Sequence, residues 1–175
     1  MRSFLLKLNV RQLLIHFVAS WLFIYAFYTL VSLYDYSFLY NDAAMPSRTI
    51  FKQRFTNDMF ILRQGGNLGL IIAYFIMWLL AVKRNWFWVN SVIVFLVTFA
   101  LYNFNLLGWK SVMWVFLYPG ESIFKASSLA SIIVNGIVML ALGCFLFFKK
   151  QILVFIDRGA KSDKQIAKLV SMKRR

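Results

Sequence analysis

Residues 68–107 read LGLIIAYFIMWLLAVKRNWFWVNSVIVFLVTFALYNFNLL. An apolar run from Leu68 to Val82 is broken by Lys83-Arg84-Asn85, and a second runs from Trp86 to Leu107. A helix needs about 20 apolar residues to cross roughly 30 Å of hydrocarbon. Two such runs with only three polar residues between them must fold back on each other. The stretch therefore predicts an antiparallel helical hairpin in lipid, with spans at 67–82 and 86–107 and its turn in water.

Outward from the hairpin, two further apolar segments have the length of a span, at 13–33 and 128–148. The first follows a basic leader with Arg2, Lys7 and Arg11. It is too long for the apolar region of a signal peptide and no small-residue cleavage site follows it, so it reads as a retained anchor. The composition agrees with lipid as the solvent. Hydrophobic residues make up 61% of the chain, against about 45–50% in soluble proteins.

Lysine and arginine set the orientation. With a cytoplasmic N-terminus, the inside segments hold three basic residues in the leader, two in the hairpin turn and nine after Phe148, against six outside. Both termini are therefore expected in the cytoplasm and the location is the cell membrane. Trp86 and Trp88 at one end of the third span, and Trp109 and Trp114 at the other, suit the two interfaces. The net charge of +14 belongs to this pattern, and direct nucleic-acid binding is not expected.

The expected fold class is an all-α integral membrane protein. Residues 1–150 form a four-transmembrane-helix bundle, and 151–175 a basic amphipathic cytoplasmic tail. Between the first two spans, Phe51, Phe55, Met59 and Leu62 recur at helical spacing, with Pro46 before them and Gly65-Gly66 after. These signals predict an amphipathic helix over 47–64, lying on the outer interface and ending at the glycines. The tail begins as an extension of the fourth span over Gln151 to Ile156 and breaks near Gly159. Ser162 and Gln165 then have capping-box spacing, followed by Ile166, Leu169 and Val170 on one face. Lys164, Lys168, Lys173, Arg174 and Arg175 surround that face. They are candidates for contact with anionic lipids or an acidic partner, worth about 1 kcal/mol per basic residue near the surface.

The four spans contain no Asp, Glu, Lys or Arg, whereas pumps and ion relays place ionisable groups there. His16 lies in the first turns of the first span and is expected to face headgroups. The neutral polar residues are patterned. Asn90, Thr98 and Asn105 share one face of the third span. In the fourth, Ser128, Ser131 and Asn135 follow i+3 and i+4 spacing, with Gly136 and Gly143 seven apart. Such residues pack helices closely and bond across the contact, or else line a polar path.

No catalytic, cofactor or metal-binding motif is present. Cys144 is the only cysteine, which rules out the paired thiols of membrane disulfide oxidoreductases, and its apolar neighbours make it inert. One histidine cannot support a zinc site. Small multidrug exporters need a glutamate in their first span, and CDP-alcohol transferases need an aspartate cluster. Neither occurs here. The turn Lys83-Arg84-Asn85-Trp86-Phe87 resembles the basic-aromatic turn of GtrA-like flippase proteins over those five residues alone, too short a stretch to imply a family. The expected role is a non-catalytic subunit, scaffold or sensor that assembles with itself or another membrane protein. The alternatives are a homo-oligomeric pore or small carrier for a neutral or lipid-like solute, and a membrane enzyme using outer-face charges such as Arg48, Lys52, Asp58, Arg63 and Glu121.

Overall fold

The computed structural model describes residues 8–35, 48–104 and 128–159, with isolated positions 39, 120, 123 and 124. The described residues are helical with no strand. Helix α1 is Val10–Val31, followed by a 3-10 turn at Ser32–Asp35; α2 is Arg48–Arg84, α3 Val89–Asn103 and α4 Leu129–Phe148. Residues 150–159 form a further helical segment, α5. Three of these helices, α1 with its 3-10 turn, α2 and α4, are long and apolar enough to cross a membrane. The described residues thus make an all-helical fold, and the chain has the composition of a membrane protein.

Helix α1 is the hub and packs against α2, α3 and α4. Its residues 19–26 are eight consecutive buried positions, which a helix shows only when covered on all sides. Lipid tails are as apolar as leucine, so tight packing rather than water exclusion must hold these helices together. The glycines show how. A Cβ on Gly69 would run into the Phe23 carbonyl of α1, one on Gly143 would meet the Phe23 ring at 2.7 Å, and one on Gly136 the Leu30 side chain at 2.6 Å.

Two expectations are corrected. The amphipathic stretch at 47–64 is not a separate helix ended by Gly65-Gly66, because α2 runs unbroken from Arg48 to Arg84. Those glycines are contact points rather than caps: a Cβ on Gly65 would strike Val31 at 2.8 Å, and one on Gly66 the Tyr102 phenol. At about 1.5 Å per residue α2 is roughly 55 Å long, well beyond the hydrocarbon thickness. The helix is long and apolar enough to cross, but residues 68–82 alone reach only about 22 Å, so a crossing draws on the turn before Leu68 as well, and the polar N-terminal part extends past it. Nor does α4 continue smoothly into the tail. Lys149 is extended (φ −62°, ψ 118°), and α5 starts afresh beyond it.

The chain reverses where the sequence implies, but the turn lies later than expected: Lys83 and Arg84 are the last turn of α2, residues 85–88 make the connection, and α3 starts at Val89 rather than at Trp86. Asn85 has φ 53°, the left-handed conformation that Asn tolerates best after Gly. The Asn85 N–H donates to the Val82 carbonyl at 3.3 Å and the Trp86 N–H to that of Ala81 at 2.9 Å. These two bonds make a Schellman cap, which closes α2 and starts a chain reversal completed over the four residues 85–88.

Candidate functional site

The expected cytoplasmic end is a knot of long-range contacts centred on Asp157. Its Oδ2 accepts from the Arg84 guanidinium at 2.6 Å and its Oδ1 from the Trp86 indole N–H at 2.6 Å. One carboxylate thereby ties α5 to both sides of the hairpin turn. The Arg84 and Asp157 side chains are 30% and 32% exposed, so water screens the pair and its own worth is about 1 kcal/mol or less. Hydrogen bonds to an ionised group add about 1.5–3 kcal/mol when sheltered.

The start of α1 completes the knot. Asn9 caps α1 by accepting from the Gln12 N–H at 3.2 Å, and its Nδ2 donates to the Ile156 carbonyl at 2.9 Å. Arg11 donates to the Phe155 carbonyl at 3.3 Å and stacks 4.4 Å from the Phe155 ring centroid. Carbonyls at a helix C-terminus lack intrahelical partners and favour cations. Two residues before the first span thus terminate α5. Gly159 permits the approach, since a Cβ there would lie 3.0 Å from Asn9 Oδ1.

A polar seam leads inward from this knot. Asn90 Nδ2 donates to Gln12 Oε1 at 2.8 Å, and His16 sits one turn beyond Gln12 on α1. His16 does not face headgroups. It is fully buried, its ring 5.8 Å from that of Trp86 and 5.5 Å from that of Phe147. The indole and α5 close over the helix start, which a reading of α1 alone leaves open. Ser20 donates to the His16 carbonyl at 2.8 Å and Ser91 to that of Met77 at 3.4 Å. Gln12 Nε2, both His16 ring nitrogens, Asn90 Oδ1 and Thr98 Oγ1 are buried without a hydrogen-bond partner.

The residues singled out in α4 belong elsewhere. Asn135 Oδ1 accepts from the Gly120 N–H at 2.7 Å. Ser128 is the N-cap of α4, accepting from the Ser131 N–H at 3.2 Å. Ser131 is buried. Gly136 meets the last turn of α1 at Leu30, whereas Asn90 meets its first turn at Gln12. The two polar sets therefore lie at opposite ends of the bundle. Asn105, Lys164, Lys168, Lys173, Arg174 and Arg175 lie outside the described residues.

A second cluster occupies the expected outer end. Arg54 holds Asp35 through bonds of 2.9, 2.7 and 2.7 Å. Asp58, one turn along α2, is 4% exposed, and its Oδ2 has no partner. Burial first, then the charge of Asp35, push the Asp58 carboxyl above the ordinary carboxylate range, while Arg54 opposes the shift. An open cavity of about 460 Å³ is lined by Asp35, Arg54, Asn57 and Asp58 among others. Farther down α2, Asn67 and Asn103 exchange amide bonds of 3.2 and 2.9 Å. Among the described residues no group of His, Cys, Asp and Glu is placed to hold a metal.

No known family, curated protein or solved structure matches this chain. The function has to be argued from geometry. Sequence reading passed over Gln12, Asn67, Asn103 and Asp157. Gln12 and His16 at i, i+4 was the one available signal, because that spacing puts both on one helix face; the pairing of Asp157 with Arg84 across 73 residues leaves no local trace.

Proposed function

We propose that the protein is a non-catalytic subunit or scaffold of a membrane assembly, crossing the cell membrane four times with both termini in the cytoplasm. The observation that carries this reading is the Asp157 knot. It ties the root of the basic tail to the first turn of α1 and to the hairpin turn, so the tail leaves the bundle from a fixed point. A tail that only rested on the surface would need no such anchor. The third crossing comes from α3, which is short as described but packs against both α1 and α2. The basic residues of 160–175 then meet anionic lipid or an acidic partner. The apolar faces left exposed, such as Ile71, Phe75 and Trp78 on α2, meet lipid or a neighbouring subunit.

Purification in mild detergent followed by native mass spectrometry tests this. A stable complex, released when residues 160–175 are removed while the bundle keeps its helicity, is the expected result. A lone monomer, or a complex indifferent to the truncation, overturns the role given to the tail.

A second reading, a pore or small carrier for a neutral or lipid-like solute, is favoured by one observation. Unmatched buried polar atoms cost about 1–3 kcal/mol each, and five such atoms, on the four residues Gln12, His16, Asn90 and Thr98, concentrate along one seam. Solute flux in proteoliposomes that falls on Asn90→Leu, with assembly intact, supports that reading; unchanged flux removes it.

A further inference from the structure

A groove of about 310 Å³ opens where the last turns of α2 face the end of α4 and α5. Ile76, Leu79, Leu80, Phe148 and Leu153 form its walls, and Lys83 and Arg84 close one end. The lips are turned outward, Leu79 being 46% and Phe148 56% exposed. Its two kinds of lining are separated along the helix axis, apolar walls first and cations last. That order matches an amphiphile with an anionic head.

The charges narrow the occupant further. Arg84 is neutralised by Asp157, but Lys83 makes no ion pair among the described residues. Lys149 and Lys150, which directly follow the wall residue Phe148, are exposed and likewise make no ion pair among the described residues, Lys149 resting 5.1 Å over the Phe145 ring. The end of the groove thus carries uncompensated positive charge where apolar sequence gives way to water. A second copy of this chain, docked through the same surface about a twofold axis, would bring these cations against themselves. An anionic lipid compensates them, and cations just beyond the hydrocarbon attract such headgroups.

We propose that this groove holds an acyl chain of an anionic phospholipid of the cytoplasmic leaflet, with its phosphate on Lys83. The assignment of leaflet rests on the orientation given under Proposed function. The lipid would wedge between α2 and α4, two helices that both lean on α1, and would fill the gap beside the knot.

The full-length protein in mild detergent, incubated with phosphatidylglycerol or phosphatidylcholine of equal chain length, provides the test by native mass spectrometry. Retention of phosphatidylglycerol in preference to phosphatidylcholine is expected. Lys83→Gln should weaken phosphatidylglycerol retention about fivefold, the loss of one surface cation's attraction. Leu79→Trp, which fills the groove from its lip, should abolish the preference while circular dichroism stays helical. Equal retention of both lipids, or retention untouched by both variants, overturns the proposal. So does a wild-type dimer that Leu79→Trp dissociates, since that puts a second copy in the groove. Partner capture is read separately on the same samples. Lipid preference without a partner defeats the subunit reading alone, and a tail-dependent partner without lipid preference defeats this one alone.

Discussion

The two ends of the bundle use the same chemistry, arginine with aspartate, to different effect. At the end that carries the hairpin turn both oxygens of Asp157 are taken, by Arg84 and Trp86, and three chain segments meet there. At the opposite end Arg54 is spent on Asp35, and the neighbouring Asp58 is buried with an oxygen unmatched. A satisfied carboxylate fixes geometry. An unsatisfied one beside a second carboxylate becomes sensitive to protons. The fold is therefore pinned at one end and titratable at the other.

The largest expected effect breaks the pinned end. Asp157→Ala should loosen α5 by about 2 kcal/mol, the loss of charge-assisted bonds, raising amide exchange over 150–159 by roughly 30-fold. Exchange unchanged there would remove the knot as an anchor. Asn9→Ala should follow at about 1 kcal/mol, the usual cost of a lost N-cap. Its exchange should rise in both the first turn of α1 and α5, because one amide serves both; a rise confined to α1 would uncouple the two.

At the Asp58 end the expected effect is on pH dependence. Asp58 binds its proton more tightly in the folded protein than in the unfolded chain. Its contribution is therefore complete below the ordinary aspartate pKa and is lost as pH rises through the elevated folded value. Amide exchange in the first turns of α2 should quicken with pH across that window beyond the intrinsic rate, and Asp58→Asn should flatten the response. The smallest effect is expected from Arg54→Gln. Arg54 is exposed and water-screened, so stability should barely move, but the Asp58 step should shift to higher pH because the opposing charge is gone. A step that stays put would remove Arg54 from the account.

The difference between the ends also marks where sequence reading succeeds. The hairpin was legible because Lys83-Arg84-Asn85 combines two cations with a residue that tolerates the left-handed turn. The membrane character of α1, α2 and α4 was legible because it depends on length and apolarity alone. Gly65-Gly66 misled because a glycine pair signals a helix stop and a close helix contact in the same letters, and only Val31 and Tyr102 on other helices tell them apart. His16 misled for the same reason: what covers it, Trp86 and Phe147, comes from the far side of the bundle.

The sequence by itself determined that this chain is helical and suited to lipid, since a run of apolar side chains leaves the backbone no partner but itself. It also determined where the chain reverses and which segments carry the positive charge. Which helix sits at the centre, which polar residues meet and which carboxylate is satisfied were decided by tertiary structure. Those outcomes depend on pairs far apart in the chain, such as Asn9 with Ile156 and Arg84 with Asp157. No local pattern encodes the few ångströms that separate a bonded oxygen from an orphaned one.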